Sequence, residues 1–241
     1  MNKNYHYFQV TTQIQDAIAI ISFEWSKNNT VDDNRTNFKQ MKVLVEGSEE
    51  IKGIVVLLHD GSGFMDSAPR LSFNGDDDDF DLQLLNFFND LAIPSLAVVT
   101  GRCTGFFLKI AMAASIRICD PDTLFYFPEK SSFFLNHITI ADRLNKLLKS
   151  NFQKENPDLF TMNICSDMAK ESGFVNCILP KEGLKENSMN LLSRMVENRR
   201  RYVIDSTMKT LTSYLKYPPR FALEEEWRQF CLLIHKSFIN L

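Results

Sequence analysis

The chain has 241 residues, 44% hydrophobic and 24% charged, with 27 Lys+Arg against 30 Asp+Glu and a net charge of −3. That length suits one large core or at most two modest ones, and the apolar content excludes a disordered chain. No polyanion-binding surface is indicated, so nucleic acid is not an expected partner. No apolar run reaches the roughly 18–20 residues of a membrane span, and residues 1–6 lack the apolar stretch of a secretory signal. The five cysteines (103, 119, 165, 177, 231) form no CxxC pair and no zinc spacing. Reduced core thiols in a cytoplasmic protein, off the membrane, are the expectation.

In chain order, the β-branched run 17–23 predicts a buried strand. A polar loop, Asn28-Asn29-Thr30, precedes a helix over 34–46. A second strand, 53–59, is stopped by the turn cluster Asp60-Gly61-Ser62-Gly63. The aspartates Asp76 to Asp79 and Asp81 follow, then an apolar-periodic helix over 82–91. A third strand covers 94–99 and closes at Gly101. A helix over 105–115 leads to strands 116–119 and 124–127. From about 137 the pattern is helical: 138–151, 166–172, 181–197, 199–215 and 221–238, broken by an apolar turn at 174–180. Pro218-Pro219 separates the last two helices. Alternating strands and helices predict an α/β core followed by a helical C-terminal extension.

The general chemical signatures are missing: no GxGxxG, Walker A, HExxH or GxSxG. His6, His59, His137 and His235 have no ligand spacing, so no metal site is expected. The aspartate run lacks the alternation, central Gly and late Glu of an EF-hand, and reads as a solvated loop. Arg199-Arg200-Arg201 reads as a helix face rather than an anion site.

Three ordered segments are more informative. The strand 53–59 is followed by Phe64-Met65-Asp66-Ser67-Ala68-Pro69. Strand 94–99 runs on through Thr100-Gly101-Arg102-Cys103-Thr104-Gly105 into a helix. Phe125-Tyr126-Phe127-Pro128-Glu129 closes the strand 124–127. Together with Ala169-Lys170-Glu171-Ser172-Gly173-Phe174-Val175-Asn176, these resemble the crotonase (enoyl-CoA hydratase/isomerase) superfamily over about residues 14–215. The resemblance implies an α/β, crotonase-like ββα superhelix core over 1–195 and a C-terminal helical trimerisation region over 196–241.

It also implies chemistry. The family binds acyl thioesters of coenzyme A or acyl carrier protein, and two backbone N–H groups hold the thioester oxygen as negative charge builds on it. Each such donor is worth about 2.7–4 kcal/mol in known oxyanion holes. The matching donors are the N–H groups of Ala68 and Phe106, the latter at a helix start where the dipole favours an anion. Glu129 stands at one of the two glutamate positions of the family's hydratases. Lys109 stands at the other and cannot serve as a carboxylate base. Phe106 and Phe107 replace two glycines of the usual run; the first is tolerable because a backbone donor does not require Gly, but two rings together could crowd the helix start and shut the acyl slot.

Asn28-Asn29-Thr30-Val31-Asp32-Asp33 is similar to a stretch of the polyketide β-branching dehydratases, which remove water from 3-hydroxy-3-methylglutaryl-ACP. Leu233-Ile234-His235-Lys236-Ser237-Phe238 resembles the terminal helix of related decarboxylases and carboxymethylproline synthases, where a His approaches the acyl group. The expected activity is therefore dehydration or hydration of an acyl thioester, with Glu129 as acid/base. The alternatives are a single-glutamate isomerase, a decarboxylase relying on His235, or a non-catalytic binding subunit. No cofactor is expected beyond the CoA or ACP phosphopantetheine that carries the substrate, and the resemblance implies a homotrimer or hexamer.

Overall fold

The computed structural model describes residues 7–26, 31–59, 80–126, 147–149 and 163–239. The chain opens with a hairpin of two nine-residue strands, β1 (Tyr7–Gln15) and β2 (Ile18–Ser26), paired antiparallel from Tyr7↔Ser26 to Gln15↔Ile18. Its two-residue turn holds Asp16 at φ 49° and Ala17 at φ 64°. Matching the right-handed twist of the strands requires positive φ at both central positions. Helix α1 (Val31–Gly47) follows, then β3 (Gly53–His59), α2 (Phe80–Asp90) and β4 (Ser95–Thr100).

From β4 onward the chain coils. Gly101, at φ 67°, turns it out of the first sheet into β5 (Arg102–Cys103), and α3 (Gly105–Ala113) carries it back to β6 (Ile116–Cys119). The next turn repeats the move, with β7 (Leu124–Tyr126) again in the second sheet. Strand, strand, helix is thus the repeating unit of a superhelix. Strand β8 (Asn163–Cys165), helix α4 (Ser166–Glu171) and strand β9 (Cys177–Ile178) come next, then α5 (Leu184–Val196), α6 (Arg201–Lys216) and α7 (Pro219–Ile239). The six-stranded sheet has the order β1-β2-β3-β4-β6-β9, and the three-stranded sheet the order β5-β7-β8. In the larger sheet β2, β3, β4, β6 and β9 are mutually parallel.

A parallel sheet covered on both faces needs strands apolar at every position rather than at alternate ones. Residues 53–58 are accordingly buried without interruption. Ala19, Ile21, Ile54, Val56, Leu58, Ala97 and Val99 face one core, with α1, α2 and α3. Ile18, Ile20, Val55, Leu57, Leu96, Val98 and Ile118 face the other, closed by Leu184, Met189 and Leu192 of α5. Gly53 makes that closure possible: a Cβ there would come within 3.0 Å of Leu192 Cδ2.

The C-terminal helices are tied to this core by Arg201. Its guanidinium donates to the carbonyls of Ser48 (3.0 Å) and Ile51 and pairs with Asp205 at 2.7 Å. Helices α6 and α7 pack on each other, linked by the Tyr214 hydroxyl, which donates to Glu226 at 2.6 Å. Pro219 starts α7, where its missing N–H costs nothing.

Several expectations need correction. Strand β1 lies where no element was expected, although Phe8, Val10, Thr12 and Ile14 alternate with polar residues as a half-buried strand should. The segment 174–180 is not merely a turn: it contains β9, a parallel edge strand on β6. Strand β8 was also unforeseen. Of the cysteines, Cys103 and Cys119 are buried, Cys165 and Cys177 half-buried, and Cys231 exposed, so the expectation of core thiols holds for two. Residues 28–30, 76–79 and most of 138–151 lie outside the described residues, as do His6 and His137. Among the described residues no helix is long and apolar enough to cross a membrane.

Candidate active site at the start of helix α3

Helix α3 is short and enclosed. Phe107 to Ala114 are all buried, Lys109 among otherwise apolar side chains, as expected of a helix enclosed by the core. Its first turn is shaped differently. Gly105 adopts φ +53°, and a Cβ built there would meet nothing within 4 Å among the described residues, so none of them covers the backbone at this point. The N-cap, Thr104, is extended (φ −143°, ψ 165°), and its hydroxyl makes no capping hydrogen bond. The first turn carries no acidic side chain either. In most helices such groups neutralise the leading N–H donors. Here the cap residue leaves that positive end to other acceptors, an arrangement suited to an oxyanion.

The Phe106 backbone lies in this first turn, at the second residue of α3. Phe107 corrects the expectation of a doubly crowded acyl slot. Its side chain is 2% exposed and belongs to the apolar core, with its ring 6.2 Å from that of Phe23. Helical geometry accounts for this: consecutive side chains diverge by about 100°, so neighbours in sequence need not share a destination. Lys109, at the position of the missing glutamate, is also buried at 2% exposure. His235 is exposed on α7, beside Lys236, whose ammonium sits 5.5 Å over the Tyr202 ring. Helix α7 packs on α6. Ala68 and Glu129 lie outside the described residues.

Two features were not read from the sequence. The first is at the C-terminal ends of β3 and β4, paired through His59↔Thr100. There the His59 Nδ1 and Thr100 Oγ1 atoms form a hydrogen bond of 2.9 Å.

The second is Arg117, 3% exposed within β6. Its Nη1 donates to the Ala114 carbonyl at 2.6 Å and, at 3.5 Å, to that of Ala111. Its Nε donates to the Phe174 carbonyl at 2.5 Å. The guanidinium lies 5.8 Å from the Phe174 ring centroid. Asn176 fixes the backbone of the same residue: the Arg117 N–H donates to Asn176 Oδ1 at 2.8 Å, and the Asn176 N–H donates to the Arg117 carbonyl at 2.9 Å. The signal in the sequence was an arginine in an apolar strand just after a helix end.

The buried thiols are chemically quiet. Burial, with a smaller contribution from Cys119, pushes the Cys103 thiol far above its ordinary range. Burial and then the neighbouring Asp120 charge push Cys119 up to about 12. Among the described residues, no group of three or more His, Cys, Asp or Glu is placed to hold a metal ion.

No protein-family model matches this sequence, and no curated protein matches it. Solved structures do match. An enoyl-CoA hydratase/isomerase family protein from Silicibacter pomeroyi superposes with a TM-score of 0.70 at 15% identity, over 94% of this chain and 99% of that one. An enoyl-CoA hydratase/isomerase from Marinobacter aquaeolei gives 0.69 at 16% identity, over 94% and 91%. The enoyl-CoA hydratase of Mycobacterium smegmatis gives 0.68 at 12% identity, over 93% and 90%. With two sheets, a strand-strand-helix coil and a helical C-terminal part, the architecture of this chain is the crotonase fold.

Proposed function

We propose that this protein is a crotonase-family enzyme acting on an acyl thioester through an oxyanion-stabilised enolate. The observation that carries the reading is the start of α3: a Cβ at Gly105 would meet none of the described residues within 4 Å, the Thr104 side chain does not cap the helix, and Phe107 is drawn into the core. The thioester oxygen accepts from the Phe106 N–H and the Ala68 N–H. Polarised in this way, the substrate loses its α-proton at a lower barrier, since the donors are oriented before charge appears. Glu129 takes that proton and returns one to the departing β-hydroxyl, so one carboxylate serves as base and then acid. Lys109 is buried where a second glutamate would stand, which favours a single-glutamate mechanism.

The substrate is a β-hydroxyacyl group carried on ACP or CoA phosphopantetheine, with 3-hydroxy-3-methylglutaryl-ACP of polyketide β-branching the specific candidate. The reading places the enzyme in the cytoplasm without a further cofactor. The core spans 1–195, and 196–241 forms the oligomer contact of a homotrimer or hexamer. On α6, α7 and the turn between them, Leu211, Tyr217, Phe221, Leu223 and Trp227 are each more than half exposed, an apolar surface of the kind that marks an interface.

The decisive experiment incubates the protein with 3-hydroxy-3-methylglutaryl-ACP and follows intact mass. Loss of one water, abolished in a folded Glu129→Gln variant, is the expected result. Undiminished dehydration in that variant removes Glu129 from the mechanism. Loss of carbon dioxide from the unsaturated product supports the decarboxylase reading with His235, and double-bond migration without loss of mass supports the isomerase. Absence of turnover with any acyl thioester leaves the binding subunit.

A further inference from the structure

Resting on that reading, we infer that Arg117 is the positioning residue of the oxyanion helix, setting the Phe106 N–H from the opposite end of α3. The helix has nine residues, about 13.5 Å at a rise of 1.5 Å per residue. Its N-terminal cap makes no side-chain hydrogen bond, so the axial position of the first turn has no local side-chain fastening from Thr104.

The fastening is at the far end. Arg117 donates from one nitrogen to the Ala111 and Ala114 carbonyls and from another to the Phe174 carbonyl. It therefore joins the last turn of α3 to the segment after α4. Its own backbone is held on one side by β4, through the Ala97↔Arg117 pairing, and on the other by Asn176. The Phe174 ring lies beside the guanidinium, its centroid 5.8 Å away. A planar fork with separated donors holds two directions at once, which a lysine ammonium cannot reproduce. The positive charge also lies at the C-terminal, negative end of the helix, where it is favourable. A shift of α3 along its axis moves the Phe106 N–H off the thioester oxygen.

The test compares wild type with Arg117→Lys and Arg117→Met, below the melting temperature of each. Two readouts go beyond stability. One is the infrared shift of the thioester carbonyl in bound butyryl-CoA, isotope-labelled at that carbon. The other is the rate at which its α-hydrogens exchange with deuterated solvent. Wild type should show a carbonyl shifted to lower frequency and measurable exchange. Arg117→Met should lose most of the shift and exchange about 10–100-fold more slowly, as expected for small misplacements of a catalytic group, with butyryl-CoA affinity within about twofold of wild type if only transition-state interactions are lost. Arg117→Lys should fall between the two.

Variants that melt earlier yet keep the full carbonyl shift and exchange rate overturn the inference and leave Arg117 a structural residue. A wild type showing neither shift nor exchange with butyryl-CoA overturns the inference alone if it still dehydrates 3-hydroxy-3-methylglutaryl-ACP, and the functional reading as well if it turns over no acyl thioester. If the Arg117 variants do not fold, Phe174→Leu, which removes the ring and keeps the carbonyl, decides by the same two readouts.

Discussion

Phe107→Ala separates two destinations for the Phe107 ring, the apolar core or the acyl slot. The ring is 2% exposed and packs against Phe23 at a centroid distance of 6.2 Å. Truncating a buried phenylalanine costs about 3–5 kcal/mol, the lost transfer energy and the residual cavity together. Of this, about 0.5–1.5 kcal/mol comes from the aromatic pair. Phe107 sits in a helix enclosed on all sides, where collapse around the cavity is restricted, so about 4 kcal/mol is expected. With a urea dependence near the upper end for small proteins, about 3 kcal/mol per molar, the unfolding midpoint should fall by about 1.3 M. At about 2–4 °C per kcal/mol for a chain of this size, the thermal midpoint should fall by about 8–16 °C. Both are measured by circular dichroism, alongside titration of a saturated acyl-CoA into the folded variant. A loss below about 1 kcal/mol, far under the range for buried rings, accompanied by tighter binding of longer acyl chains, would show that the ring lines the slot and refute the core assignment.

Ala17 occupies the left-handed region at φ 64°, which costs an L-residue about 1–2 kcal/mol. Ala17→Gly should therefore raise stability by up to about 1 kcal/mol, the gain being offset by glycine's greater freedom in the unfolded chain; a fall in the urea midpoint would contradict the turn geometry. Native alkylation with iodoacetamide at pH 8 should modify exposed Cys231 and spare Cys103 and Cys119, as peptide mass mapping would reveal; prompt labelling of either buried thiol contradicts its assigned environment. The same two thiols make stability fall at alkaline pH. Their pKa is raised in the folded state, so above the ordinary thiol pKa, about 8.5, the unfolded chain loses protons that the folded chain keeps. The expected slope is about −1.4 kcal/mol per pH unit for each thiol, with its onset near that pKa. Urea midpoints for Cys103→Ala and Cys119→Ala should show a shallower decline.

Much of the fold was legible because the informative stretches are local. The runs 53–58 and 95–99 are buried throughout, and continuous apolar strands between helices point to a parallel sheet. The strand β1 escaped because its turn, Asp16-Ala17, lacks the glycine that usually marks a two-residue hairpin. Strand β9 escaped because two residues carry no periodicity; only its partner β6 defines it. The helix start at Gly105 was legible from the pattern before it, whereas the fate of the Phe107 ring was not. That depends on Phe23, more than eighty positions away in the chain. Arg117 could be seen as an oddity in an apolar strand, but its acceptors at Ala111, Ala114 and Phe174 are defined only once three elements meet.

The sheet face under α5 is covered late in synthesis. Strands β2, β3, β4 and β6 are all made by residue 119, whereas α5, which carries Leu184, Met189 and Leu192, begins sixty-five positions later at residue 184. Until the ribosome has released that helix, Ile18, Ile20, Val55, Leu57, Leu96 and Val98 form a bare apolar sheet. Nascent chains paused before residue 184 are the species most open to chaperone capture and to misassembly.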